Sequence, residues 1–239
     1  MNSSDLAVAT PLLLTLVPAS LRRIVEPRLK VIRAAKGRTV IGTGSRATDI
    51  YFVVEGQAKV VLFSSNGREV SVRDLTAGEL FGELVALDDL PRSASVIATT
   101  DVRLLAMSRT DFLACIESSP AAALWLARRL AAEVRRMTER NFELSALNVQ
   151  SRLHCELLRM ARTSEGGGGP LAIDPAPTHA ELANRIGSHR EAVTREMRAL
   201  ASLNIIRTRR RALEFINLAG LETHVGRAVG DLSALPAVS

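Results

Sequence analysis

Between Val40 and Met107 the chain is cut into short β-branched runs. Val40-Ile41, residues 50–54, 58–63, 70–72, 94–98 and 102–107 are strand-like. Gly42-Thr43-Gly44, Glu55-Gly56 and Asn66-Gly67 lie between the first four of them. Asn-Gly between two such runs is the strongest local hairpin signal, because the tight turn needs residues that tolerate positive φ. Many short strands at regular spacing predict a β-sandwich or jelly-roll barrel.

One segment inside this region, FGELVALDDLPRSASVI at residues 81–97, carries chemistry that a barrel alone does not need. Phe81-Gly82-Glu83 opens it, and residues 84–87 are enough for about one helical turn. Arg92-Ser93-Ala94 closes it. The start of a helix presents unpaired N–H groups and the positive end of the dipole to an anion. Gly82 lets the backbone approach a ligand closely. Arg92 can hold a phosphate through two parallel hydrogen bonds, and Ser93 adds a hydroxyl donor. Glu83 repels phosphate, but an ionised carboxylate is a good acceptor for a sugar hydroxyl. An anion cradle with a hydroxyl acceptor beside it suits a nucleotide. The competing reading is a turn-helix corner of the barrel with a surface Arg–Glu pair.

The segment resembles the phosphate-binding cassette of cyclic-nucleotide-binding domains, as found in the CRP/FNR family of bacterial transcription regulators. DIYFVVEGQAKV followed by GELFGELVAL extends the resemblance over most of residues 30–110. It implies that Glu83 takes the ribose 2′-hydroxyl and that Arg92 and Ser93 hold the cyclic phosphate. The backbone at Gly82, Glu83, Leu84 and Ala94 completes the cradle.

A long helix is expected from Ser119-Pro120, since Ser caps a helix and Pro suits its first turn. Ala127, Leu130, Val134, Met137, Asn141 and Leu144 alternate spacings of three and four along it, which is a heptad seam. Asn141 on the seam disfavours simple core packing and favours a two-stranded, homodimeric pairing. The alternative is a helix packed on its own barrel. In the family, two adjacent hydroxyl residues at this height touch the adenine, one from across the dimer. Here that pair is Met137 and Thr138, so Met137 departs from the pattern and leaves cyclic AMP ahead of cyclic GMP without excluding the latter.

Residues 147–149 are expected to be a hinge, and 165–170 a flexible glycine loop. Thr178 and Glu181 form a capping-box pattern, and the helix after it stops at Gly187. Ser188 is expected to cap a second helix. Two short helices joined through Gly indicate a helix-turn-helix, whose second helix enters the major groove. IGSHREAVTREMRAL resembles the family's recognition segment. On that ground Arg190, Glu191 and Arg195 are carried over as base readers of a TGTGA-like half-site, with His189, Thr194 and Thr178 in flanking or phosphate contacts. The alternating run after it, with Arg207, Arg209, Arg210 and Arg211 at the tip, suits a wing on phosphates.

At 239 residues there is room for two modest domains. Lys and Arg number 31 against 25 acids, and the net charge of +6 favours a polyanionic partner. Aromatics at 3% argue against stacking on single strands. Cys115 and Cys155 are far apart and lack metal-ligand spacing, which fits reduced thiols. The apolar run Leu12-Leu13-Leu14 is far too short for a membrane span.

The combined expectation is an α+β chain. Residues 1–118 form a nucleotide-binding jelly-roll sensor, 119–147 a dimerisation helix and hinge, and 148–239 a winged helix-turn-helix. It would be a cytoplasmic homodimer gated by a cyclic nucleotide, with double-stranded DNA and RNA polymerase as partners, and with no metal, no membrane and no enzymatic activity. The rival is a regulator of the same fold that is ligand-independent or senses another effector.

Overall fold

The computed structural model describes residues 11–67, 69–163 and 171–229. The glycine loop expected at 165–170 lies outside them. The chain forms two compact units, one ending at Glu133 and the other starting at Val134.

The first unit opens with two short helices, α1 (Leu12–Thr15) and α2 (Ala19–Val25), separated at Pro18, which has no N–H to continue a helix and whose ring crowds the preceding turn. Eight strands follow: β1 (Lys30–Ala34), β2 (Thr39–Ile41), β3 (Ile50–Glu55), β4 (Ala58–Phe63), β5 (Glu69–Leu75), β6 (Leu80–Phe81), β7 (Ser95–Ala98) and β8 (Val102–Met107). They make two antiparallel four-stranded sheets, ordered β1-β8-β3-β6 and β2-β7-β4-β5. The Asn66-Gly67 turn joins β4 to β5, with Gly67 at φ +78°.

Side chains alternate across each strand, so β3 and β8 serve two cores. Val53 and Leu104 point to the interior, against Ile41 and Val96 of the other sheet. Phe52 and Leu105 point outward, where Leu13, Leu14, Phe112 and Leu126 cover them. Phe112 belongs to α4 (Arg109–Ser118), and Leu126 to the long helix α5 (Pro120–Ala146). Burial on both faces is why these strands are almost continuously apolar. Three elements escape the sequence pattern. β1 is a half-exposed edge strand, β6 has two residues, and α4 lacks a clear apolar period.

The second unit contains the end of α5, then α6 (Val149–Thr163), α7 (His179–Ile186), α8 (Arg190–Ser202) and α9 (Leu218–Val229). A small sheet orders β10 (Ile206–Thr208), β11 (Leu213–Phe215) and β9 (Ala172–Ile173) as β10-β11-β9. Leu153, Leu157, Leu182, Ile186, Val193, Leu200 and Leu221 fill its core. Residues 134–146 of α5 group with this unit. Among the described residues no helix is long and apolar enough to cross a membrane.

Candidate nucleotide site and nucleic-acid interface

Gly82 follows β6 at φ +82°, in the left-handed region open to glycine. The turn α3 (Leu84–Asp88) begins two residues later, with Glu83 at its N-cap position, and is capped by Asp89 at φ +61°. The chain then returns so that Arg92 lies under Gly82. Arg92 is only 5% exposed. Its Nη1 donates to the Gly82 carbonyl oxygen at 2.6 Å, and its Nη2 donates to that of Asp49 at 2.5 Å. Its guanidinium stands 6.0 Å from the centroid of the Tyr51 ring, which stacks on Phe81. Burial pulls the Arg92 pKa down, while Tyr51, Asp49 and Glu83 oppose the shift. Arg92 Nε is buried without a partner.

Glu83 is also buried, and Ser93 is exposed with Ala94 half-buried. Leu84 faces solvent. The closing end of the cassette is pinned to the 43–45 loop. Arg92 N donates to Ser45 O, Gly44 N to Arg92 O, and Thr43 N to Ser95 Oγ. Behind the cassette, Arg73 and Arg129 both donate to the Leu80 carbonyl oxygen. Burial lowers the Arg129 pKa, and Arg73 adds to the shift against Glu83, Glu79 and Glu133. Sequence reasoning missed Thr43, Asp49 and Tyr51. Asp49 acts through its backbone carbonyl, which leaves no mark on residue type.

Met137 and Thr138 belong to the second unit. Met137 is 51% exposed. Thr138 Oγ1 donates back to Val134 O at 2.9 Å, so its proton is used within the helix and only acceptor capacity faces outward.

In the helix-turn-helix, Thr178 and Glu181 make the reciprocal capping box. Gly187 ends α7 at φ +63°. The second helix differs from expectation at its start. His189 occupies the N-cap position without a side-chain cap, α8 begins at Arg190, and Ser188 is buried. Arg190, Glu191 and Arg195 are exposed along one face and line an open concavity with Thr194 and Arg198. Thr194 Oγ1 donates to Arg190 O at 2.9 Å and shares a 2.8 Å hydrogen bond with His179 Nδ1, so it fastens α8 to α7. Arg198 was not anticipated, although it follows Thr194 by four residues and so shares its face. At the wing, Arg209 Nε pairs with Glu214 at 2.6 Å, which restrains it for any phosphate contact.

Two family models match this chain: the cyclic nucleotide-binding domain over residues 31–119 and the Crp-like helix-turn-helix domain over residues 151–224. The cyclic AMP receptor protein of Thermus thermophilus is 36% identical over 175 residues, covering 72% of this chain and 77% of its own. The chain belongs to the CRP/FNR family of bacterial transcription regulators. It is a DNA-binding regulator with a cyclic-nucleotide-binding domain, and not an enzyme. A CRP-family regulator of Thermus thermophilus shares the fold at TM-score 0.69 and 26% identity, covering 83% of this chain and 98% of its own. The c-di-GMP responsive global regulator CLP of Xanthomonas campestris shares the fold at TM-score 0.69 and 20% identity, over 79% and 94% of the two chains.

The residues present fit a CRP/FNR-type nucleotide site. A buried guanidinium with an unpartnered Nε is a donor awaiting an acceptor, and a Cβ on Gly82 would stand 2.5 Å from Arg92 Nη1. Arg190, Glu191 and Arg195 lie on the accessible face of α8. Among the described residues no group of three or more His, Cys, Asp or Glu is arranged to hold a metal ion.

Proposed function

We propose that this protein is a homodimeric, cytoplasmic transcription regulator gated by a cyclic nucleotide, cyclic AMP in preference to cyclic GMP. It acts on a palindromic TGTGA-like site and works with RNA polymerase. The observation that carries the ligand reading is the buried Arg92 with its free Nε. Two of the five guanidinium N–H groups are used on Gly82 and Asp49, so the others remain for a phosphate. Ser93 is exposed beside it, and Glu83 accepts the ribose 2′-hydroxyl. Thr138 of the partner subunit supports adenine. With its own proton committed to Val134, its oxygen takes a donor such as the adenine amino group, whereas guanine offers a carbonyl at that place.

Dimerisation is supported by the exposed apolar seam of α5. Val134 is 62% exposed and Met137 51%, and Asn141 and Leu144 continue the stripe. A second copy covering it would exclude water from the patch. The ligand favours one arrangement of the dimer, in which two recognition helices meet successive major grooves about 34 Å apart.

One observation favours the rival, a regulator that needs no nucleotide or senses another effector. Gly82 and Asp49 already hold Arg92 in place. Calorimetric titration of cyclic AMP and cyclic GMP separates the two, run beside anisotropy titration of a TGTGA-palindrome duplex with and without ligand. Tight binding that raises DNA affinity supports gating. No binding, or DNA affinity indifferent to ligand, leaves the rival.

A further inference from the structure

Five charged side chains converge beneath the helix-turn-helix, from three different helices. Glu143 on α5 and Glu156 on α6 are buried, at 1% and 5% exposure. Arg159 on α6 bridges them, donating through Nη1 to Glu156 at 2.5 Å and through Nη2 to Glu143. Arg140 on α5 lies 2.9 Å from Glu143 and 3.6 Å from Glu156. Arg185, in the last turn of α7, donates to the other oxygen of Glu156 at 3.2 Å. A carboxylate this far from water persists only with charged partners around it. Burial would raise the Glu156 pKa, but Arg159, Arg140 and Arg185 together bring it below the ordinary value.

The connection between α5 and α6 has no slack either. Leu147 N donates to Glu143 O at 3.1 Å, and Asn148 Oδ1 caps α6 by accepting from Ser151 N at 2.8 Å. Arg152 Nη1 donates to Leu144 O at 3.3 Å. A Cβ on Gly187 would stand 3.2 Å from Leu144 Cδ2, so the turn of the helix-turn-helix rests on the end of α5. Leu147 and Val149 pack against the core of this unit.

We infer that this cluster clamps the last two turns of α5 onto α6 and α7, so that residues 140–163 and 179–186 move as one body. Residues 147–149 are held within that body and do not act as a free hinge. Glu156 is the positioning residue at the centre. It lies on α6, off the α5 seam, and touches neither nucleotide nor DNA. A displacement of the last two turns of α5 is then carried to α7, to which the recognition helix is fastened through His179 and Thr194. The inference holds whichever effector the barrel senses.

Hydrogen exchange on the full-length protein tests it. In the wild type, peptides over residues 140–149 exchange as slowly as those of α6. In Glu156→Gln they exchange at least about tenfold faster, while peptides of the barrel strands are unchanged. Faster exchange of 140–149 than of α6 in the wild type, or no acceleration in the variant, overturns the inference. If Glu156→Gln loses protection throughout, Arg140→Gln removes a more exposed member of the cluster. It is expected to accelerate 140–149 selectively, and no acceleration there overturns the inference in the same way.

Discussion

Arg92 and Gly82 are one structural unit: the guanidinium Nη1 that donates to the Gly82 carbonyl at 2.6 Å is also the atom a Gly82 Cβ would meet at 2.5 Å. The backbone at φ +82° and the packing beneath it both require glycine. Gly82→Ala therefore acts twice. The left-handed conformation costs about 1–2 kcal/mol for a residue with a Cβ. The flexible Arg92 side chain then gives way in preference to the backbone, and its fork leaves the position proposed to hold the phosphate. A lowered melting temperature and a loss of cyclic AMP affinity of at least about tenfold are expected, by calorimetry. Unchanged affinity in a folded variant would show that Arg92 does not hold the ligand.

Thr138 gives a sharper test of base choice. Thr138→Val keeps the shape and removes the oxygen. A lost hydrogen bond of about 1 kcal/mol predicts roughly a fivefold drop in cyclic AMP affinity. Cyclic GMP affinity should not change, because the committed proton has nothing to give its carbonyl. Thr138→Ser should retain the preference for cyclic AMP. A parallel drop for both nucleotides would mean that Thr138 packs near the ligand without reading the base.

On α8, Glu191 and Arg198 line one concavity but are expected to differ in kind. On the proposed reading Glu191 accepts from a cytosine amino group, so Glu191→Ala should relax discrimination at one base pair of the half-site. Arg198 sits two turns further along α8 and, on the proposed reading, meets the phosphate backbone. Arg198→Ala should weaken binding alike across half-site variants and reduce the salt slope by about one per site. Anisotropy against a half-site library at several salt concentrations distinguishes them. A base-specific defect in the Arg198 variant would reverse its assignment.

Much of this was legible from residue types. The glycine-punctuated runs located six of the eight barrel strands, and Asn66-Gly67 located a hairpin. Thr178, Glu181 and Gly187 located α7, because capping chemistry is local. What escaped was held by partners far along the chain. β1 is a strand because Lys30 to Ala34 finds β8 more than sixty residues later, not because of its own pattern. Arg92 was legible as a cation, but not as a cross-link between Gly82 and Asp49, since carbonyls carry no sequence signature. Likewise Glu143, Glu156 and Arg159 look like ordinary solvated helix charges until three helices close over them.

Another buried polar group contributes to how stability responds to acid. His154 is 2% exposed on α6, with its Nε2 2.7 Å from Glu196 Oε1 on α8 and its ring edge-on to His224 on α9. Glu196 Oε1 also accepts from Gln150 Nε2 at 3.0 Å, so His154 donates here and carries its proton on Nε2. Burial lowers the His154 pKa below 6.5, against the pull of Glu196 and helped by His224. The unfolded chain therefore takes up a proton first as pH falls. The stabilising contribution is complete above pH 6.5 and is lost as pH drops toward and through the lowered folded value, below which it levels off. The melting temperature should decline over that interval, and His154→Gln, which keeps a donor for Glu196 but cannot titrate, should flatten the decline. A melting temperature that rises on acidification below 6.5 would mean that the folded protein holds His154 as a cation paired with Glu196.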